Sequence, residues 1–157
     1  NGYPLRVIGS GPLEASLRKK APAHIRFSGH VPDDELRRAL GEARALVFPG
    51  KEDFGLVPVE ALAAGTPVVA LWEGGARDWM GSPVGKSGRQ LLFETGVGFR
   101  RETSSDLQAA IDAFLQHEGQ FTRSACRQRA VRFSRANFRR KFRSYLSSMA
   151  GITLETS

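Results

Sequence analysis

Glu52 and Glu60 stand at the two ends of the run E-D-F-G-L-V-P-V-E, separated by seven residues. Carboxylates accept hydrogen bonds and do not donate them, so a pair facing one space suits hydroxyl groups and repels a phosphate aimed at it. Between the acids the chain reads as the start of a helix near Leu56, with Asp53 placed to cap it and Pro58 in the first turn, where a missing N–H is not needed. The N–H groups from about Gly55 to Val57 have no partner inside such a helix, and together with the helix dipole they favour a phosphate. Gly55 carries no side chain to hold a ligand away from the backbone. Phosphate at the helix end with carboxylates beside it is an arrangement that fits a nucleotide sugar.

The elements that position these groups follow from apolar runs and their punctuation. Residues 46–48, L-V-F, form a continuous apolar run ended by Pro49 and Gly50, as in a strand covered on both faces of a parallel sheet. Gly65 closes the helix, and residues 66–71 read as the next strand. Upstream, residues 5–8 are a short strand followed by Gly9-Ser10-Gly11-Pro12 and a helix with Leu13 and Leu17 on one face. Residues 25–28 are a further strand, followed by Gly29-His30-Val31-Pro32 and a helix capped by Asp33 that carries Leu36 and Leu40. This alternation predicts an α/β fold, a Rossmann-like, doubly wound parallel sheet with helices on both faces. Ligands of such sheets sit at the carboxyl ends of the strands, where all these turns lie, so the pattern predicts one shared site.

Glu52, Glu60 and the continuation E-A-L-A-A-G-T-P-V-V-A resemble the Glu-x7-Glu signature of the retaining GT-B glycosyltransferases. The resemblance implies that Glu52 is the catalytic-site acid, holding hydroxyls of the donor sugar rather than attacking it, and that Glu60 meets the ribose. It places Asp53, Phe54, Gly55, Leu56 and Val57 against the sugar and diphosphate. Gly9 and Gly11 resemble the family's V-I-G-x-G-P turn at the mouth of the donor site; a plain tight turn is the other reading. Gly29, His30 and Val31 fall where the family contacts the nucleobase, mainly through backbone, although His30 also reads as a surface histidine in a turn. Gly74 and Gly75 match the G-G-x-x-E loop, with Asp78 where the family has Glu, and with Arg77 and Trp79 as departures. Trp72 and Trp79 admit two readings, flanking a sugar or base, or packing in the core.

The resemblance runs from Leu5 to about Tyr145 and implies the donor-binding, second domain of a two-domain enzyme, with the family's first strand-helix unit lacking a counterpart before Asn1. It implies transfer with retention, no cofactor and no divalent metal, from a nucleotide diphosphate sugar to a glycan or lipid-linked acceptor. The isolated chain is expected to bind donor weakly and to transfer nothing. The phrase E-D-F-G-L-V-P-V-E-A and the Arg-rich C-terminus look most like bacterial mannosyltransferases that use GDP-mannose, with a UDP-sugar as the other donor. That implies a role in cell-surface polysaccharide synthesis and a cytoplasmic location, at the inner face of the membrane. A non-catalytic nucleotide-sugar-binding or assembly module is the competing reading.

The 157 residues suit one domain with one core. Residues 123–143 hold nine cations, Arg123, Arg127, Arg129, Arg132, Arg135, Arg139, Arg140, Lys141 and Arg143, and no acid, so the net charge of +7 belongs to this segment. Three readings fit the terminal basic segment, 122–157: arginines on the outer face of helices whose aromatic stripe packs on a neighbour, contact with an anionic membrane surface, or nucleic acid, for which no reader motif is present. Cys126 is alone, and His24, His30 and His117 lack metal-ligand spacing, so no disulfide or protein-held metal is expected. The richest apolar run, 61–72, is interrupted by Gly and Pro and too short to span a bilayer. Residues 81–90 read as an exposed loop, 95–99 as a short strand. Ser104 or Ser105 is placed to cap a helix carrying Leu107, Ala110, Ile111, Phe114 and Leu115, Thr122 to cap the next, and Phe138, Phe142, Tyr145, Leu146 and Met149 recur at helical spacing.

Overall fold

Short apolar strands alternate with helices through most of the chain, in a computed structural model that describes residues 2–150; Asn1 and the tail 151–157 of the basic segment lie outside the described residues. The chain divides into two compact units after Ala39.

The first unit holds β1 (Leu5–Ile8), α1 (Glu14–Lys20), β2 (Ile25–Gly29) and most of α2 (Asp33–Glu42). β1 and β2 pair in parallel, and a register shift after Val7 sets Ile8 opposite Gly29. Gly9 N–H then donates to the Gly29 carbonyl at 2.7 Å, so the two glycine turns lie side by side at the carboxyl end of the pair. Arg6 pairs with Glu35 and donates to Ser28 Oγ at 2.8 Å, while the Arg18 guanidinium lies over the Phe27 ring. Asp33 is the first residue of α2 rather than its cap; with Asp34 and Glu35 it places three acids at the positive end of the helix dipole. Leu13 and Leu17 are exposed.

The second unit contains β3 (Leu46–Phe48), α3 (Leu56–Ala64), β4 (Val68–Leu71), α4 (Ala76–Met80), β5 (Gly85–Ser87), β6 (Gln90–Phe93), β7 (Gly96–Phe99), α5 (Ser104–His117), α6 (Arg123–Val131) and α7 (Arg135–Ala150). Its sheet has the order β3-β4-β7-β6-β5, parallel from β3 to β7 and antiparallel beyond. The strands pair within each unit, β1 with β2 in the first and β3 to β7 in the second. Alternation of strands and helices fixes handedness and parallel pairing, but not which strands share a ladder. The segment 81–90 is also not a plain loop. It carries β5 and the first residue of β6, a hairpin with strands of three and four residues whose first arm, Gly-Lys-Ser, lacks any apolar pattern.

All four residues of β4 are buried. Successive side chains of a strand point to opposite faces. Val69 and Leu71, with Val97 and Phe99 of β7, pack against Ala110, Ala113 and Phe114 of α5. Thr103, not Ser104 or Ser105, caps α5, its hydroxyl accepting from Asp106 N–H at 3.2 Å, while Asp106 also takes both arms of Arg101. Thr122 caps α6 as its sequence predicts. Arg123 then reaches two sets of helix-terminal carbonyls, Gly41 O at the end of α2 and Ala64 O at the end of α3. Both are carbonyls that their own helices leave without a partner.

Candidate functional site

The loop after β3 and the first turn of α3 enclose a cleft of about 720 Å³, lined by Phe48 and residues 51–57. Gly55 is the N-cap of α3, with φ at 81° and no side-chain cap, so Asp53 does not cap the helix. The left-handed backbone at Gly55 turns the chain into the helix and leaves Asp53 exposed at the cleft, together with Glu52. Leu56 and Val57 present the first-turn N–H groups of α3, and Pro58, the third helical residue, has none to offer. Glu60 lies about one turn farther along, exposed, and outside the lining of this cleft. Among the described residues neither the Glu52 nor the Glu60 carboxylate makes a hydrogen bond or ion pair.

The acidic loop is braced from behind by the segment after β4. Gly75 N–H donates to Glu52 O at 2.8 Å, and the indole N–H of Trp79 donates to Phe54 O at 2.7 Å. This approach requires Gly74 and Gly75: a Cβ would lie 2.3 Å from Glu52 O at the first and 2.4 Å from Phe54 O at the second. Lys51 Nζ meets Glu73 at 2.6 Å. That contact raises the lysine pKa and lowers the glutamate's, hydrogen bonding being the largest cause in each. The stabilisation carried by Glu73 is therefore present above the ordinary carboxylate pKa and lost as pH falls through the depressed one. The share carried by Lys51 is present below the ordinary lysine pKa and lost as pH rises through the raised one.

Trp79 is 1% exposed and belongs to the core. Trp72 is half-buried at the end of β4, with the Arg77 and Arg100 guanidiniums over its ring at 5.5 and 5.3 Å. Asp78 is exposed, and its carbonyl accepts from Arg129, whose Nε also donates to Trp79 O at 2.9 Å. In the first unit Gly9 and Gly29 have φ of 117° and 65°, Gly11 and His30 are exposed, and Val31 is buried. Each group of expected residues is thus gathered within its own unit: Gly9, Gly11, Gly29, His30 and Val31 in the first, Glu52 to Val57, Glu60, Gly74 and Gly75 in the second. The sequence reading misses Lys51, Glu73 and Arg129. The glycine pair was the one available sign that another backbone lies close.

Among the described residues no cluster of three or more His, Cys, Asp and Glu side chains is placed to hold a metal ion, and no helix is long and apolar enough to cross a membrane.

Solved structures share this architecture. Sucrose-phosphate synthase from Thermosynechococcus elongatus superposes with a TM-score of 0.69 at 22% identity, over 95% of this chain and 39% of that one. Anabaena HepE in complex with UDP-glucose does so with a TM-score of 0.63 at 20% identity, over 92% and 40%. At these identities the likeness speaks for the fold, that of GT-B glycosyltransferases. Among sequences, phosphatidyl-myo-inositol mannosyltransferase of Mycobacterium leprae is 46% identical over 71 residues, 42% of this chain and 19% of the relative. Glycogen synthase of Mycobacterium tuberculosis is 35% identical over 121 residues, 73% of this chain and 27% of the relative. The chain spans well under half the length of each of these proteins. The family pattern described as glycosyl transferases group 1 matches residues 1–133, from β1 through α6 and with the whole braced cleft inside it, and the chain belongs to that family.

Proposed function

We propose that this chain is the donor-binding part of a retaining glycosyltransferase of the Glu-x7-Glu type. It would move a hexose, with mannose from GDP-mannose favoured, from a nucleotide diphosphate sugar to a glycan or lipid-linked acceptor. The observation that carries this reading is the pair of exposed carboxylates left without protein partners among the described residues, Glu52 on the cleft at the N-terminus of α3 and Glu60 one turn farther along that helix, outside the cleft lining. A carboxylate in contact with water that accepts nothing from the protein is free to accept from ligand hydroxyls. Support for the donor class comes from relatives: a mannosyltransferase at 46% identity over the matched stretch, and a structure of similar fold in complex with UDP-glucose, which keeps a UDP-sugar as the second donor.

In this reading Glu52 accepts hydroxyls of the sugar and fixes its orientation, and Glu60 accepts from the ribose. The Leu56 and Val57 N–H groups, at the positive end of α3, take the diphosphate as its charge grows on leaving. Donors fixed in place for developing charge stabilise it more than water does, because they need no reorganisation at the moment of reaction. Within the first unit, Gly9, Gly11, Gly29, His30 and Val31 are the residues we propose as nucleotide contacts.

Calorimetric titration with GDP-mannose, UDP-glucose, GDP and UDP, repeated on Glu60→Ala, tests the reading. One nucleotide family is expected to bind and to lose about tenfold in affinity in the variant, the effect of one net hydrogen bond. No binding of any of the four by the wild type at millimolar ligand sinks it.

The basic C-terminal helices support a second partner, an anionic membrane surface, which would hold the protein at the inner, cytoplasmic face. In α7, Phe138, Phe142, Tyr145 and Met149 form a stripe at spacings of four, three and four residues, each at least half exposed. Arg135, Arg139, Arg140, Lys141 and Arg143 occupy the flanks and opposite side. An apolar stripe with a cationic polar face is the pattern of a helix lying in a lipid interface.

A further inference from the structure

We propose that Trp79 and Arg129 are positioning residues for the sugar side of the cleft: Arg129 on α6 fixes the end of α4, and the Trp79 indole carries that placement to the Phe54 carbonyl, between Asp53 and Gly55. The proposal rests on the donor-site reading above.

The chain of contacts is short and directional. The Arg129 guanidinium makes no ion pair among the described residues; its Nε donates to Trp79 O at 2.9 Å and its other arm to Asp78 O. Both acceptors are in the last turn of α4, where backbone carbonyls have no helical partner. Gly81 makes room for the guanidinium, since a Cβ there would lie 2.6 Å from Arg129 Nη2. Burial lowers the Arg129 pKa from its ordinary value, but an arginine so placed stays charged at neutral pH and its hydrogen bonds are charge-assisted.

Trp79 then spans the gap. Its side chain is buried to 1% exposure, which fixes the ring, and its one donor is directed at Phe54 O at 2.7 Å. The Phe54 ring is held by the same part of the chain, edge-on to Phe133 just beyond α6 at 5.6 Å between centroids. Backbone and side chain of Phe54 are thus both anchored to α4 and the end of α6. Glu52 is two residues away, whereas Glu60 rides on α3 itself. Loss of the anchor should therefore loosen Glu52 far more than Glu60.

This asymmetry makes the role testable on the intact chain. Trp79→Phe keeps an aromatic ring and removes the donor; Arg129→Met keeps the stem and removes the fork. Without ligand, amide exchange of residues 51–56 is expected to quicken about tenfold in Trp79→Phe, while the α5 amides stay as in the wild type. With ligand, affinity for GDP-mannose or UDP-glucose, whichever the wild type binds, is expected to fall about tenfold, and affinity for the matching free nucleotide less than about twofold. The double variant should lose no more than Trp79→Phe alone, because the two residues act in series. Unchanged exchange in residues 51–56 overturns the relay. Equal losses for nucleotide sugar and free nucleotide overturn it too, since general destabilisation would produce them. Wild-type chain that binds no donor sinks the donor-site reading and, with it, the assignment of this brace to a sugar.

Discussion

A methyl group at Gly75 would lie 2.4 Å from Phe54 O and 2.5 Å from Phe54 Cα, and one at Gly96 would lie 2.0 Å from Val68 O. All three neighbours are backbone atoms, so neither clash is relieved by turning a side chain. The consequences differ because the neighbours differ. Gly75 presses on an exposed loop that can move outward, at the cost of the bonds bracing Glu52 and Phe54. Gly96 presses on β4 at the centre of the sheet, with φ at 143° as a second obstacle to any side chain. Gly75→Ala is expected to remove most donor affinity with a stability loss of about 1–3 kcal/mol, whereas Gly96→Ala should prevent stable folding; titration and thermal melting separate the two. Cys126 is fully buried in α6, and burial pushes its thiol up to about 11. Its alkylation by iodoacetamide at pH 8 should be far slower in the native chain than in denaturant; equal rates would contradict the burial. Stability should fall as pH rises above the ordinary thiol pKa, because the unfolded state then loses a proton that the folded state keeps. At this scale Glu52 and Glu60 are legible in sequence because their spacing is local. Lys51–Glu73 and Trp79–Arg129 are not, because the fold joins residues 22 and 50 positions apart.

Elements with a strong local signature are the ones the sequence reading places well. β3, α3 and β4 announce themselves through a continuous apolar run, a Gly at the helix end and a second apolar run, and Gly65 indeed closes α3 with φ at 88°. The β5–β6 hairpin escapes because its strands are too short for periodicity and Gly88-Arg89 resembles any exposed turn. Caps are ambiguous in sequence where two candidates stand together: Thr103 stands just before Ser104 and Ser105, and Gly55 takes a position that Asp53 could serve from farther back. α7 is a helix, as its spacing predicts, and its aromatic stripe is exposed among the described residues rather than packed on a neighbour. That exposure supports the membrane proposal at the level of one element. Phe138→Ser with Phe142→Ser is expected to lower co-sedimentation with phosphatidylglycerol-containing vesicles several-fold while leaving the melting temperature nearly unchanged, since both side chains are at least half exposed. Sedimentation that ignores the anionic lipid fraction would remove the membrane from the account.

At the scale of the whole molecule, the proposed roles of the groups at the cleft, holding a donor and stabilising a departing diphosphate, are two of the requirements for transfer. The third is an acceptor hydroxyl held beside the anomeric carbon. Orienting two reactants in this way is worth an effective molarity of about 10⁵ M or more. A donor site alone forgoes that factor, however well it binds. The matched solved structures are longer chains, of which this one covers 39% and 40%. On the proposed reading, in which the acceptor is held by a further part of a longer protein, the 157-residue chain is expected to bind its nucleotide sugar, with Glu52 and Glu60 both required, yet to transfer no measurable sugar from radiolabelled donor to lipid-linked or glycan acceptors. In a longer protein that also carries an acceptor-holding part, transfer should be measurable, and Glu52→Gln there should lower its rate by about tenfold or more, one charge-assisted hydrogen bond to the reacting sugar being lost. Transfer by the 157-residue chain alone would instead mean that acceptor and donor meet on residues described here, and the division of labour argued above would have to be abandoned.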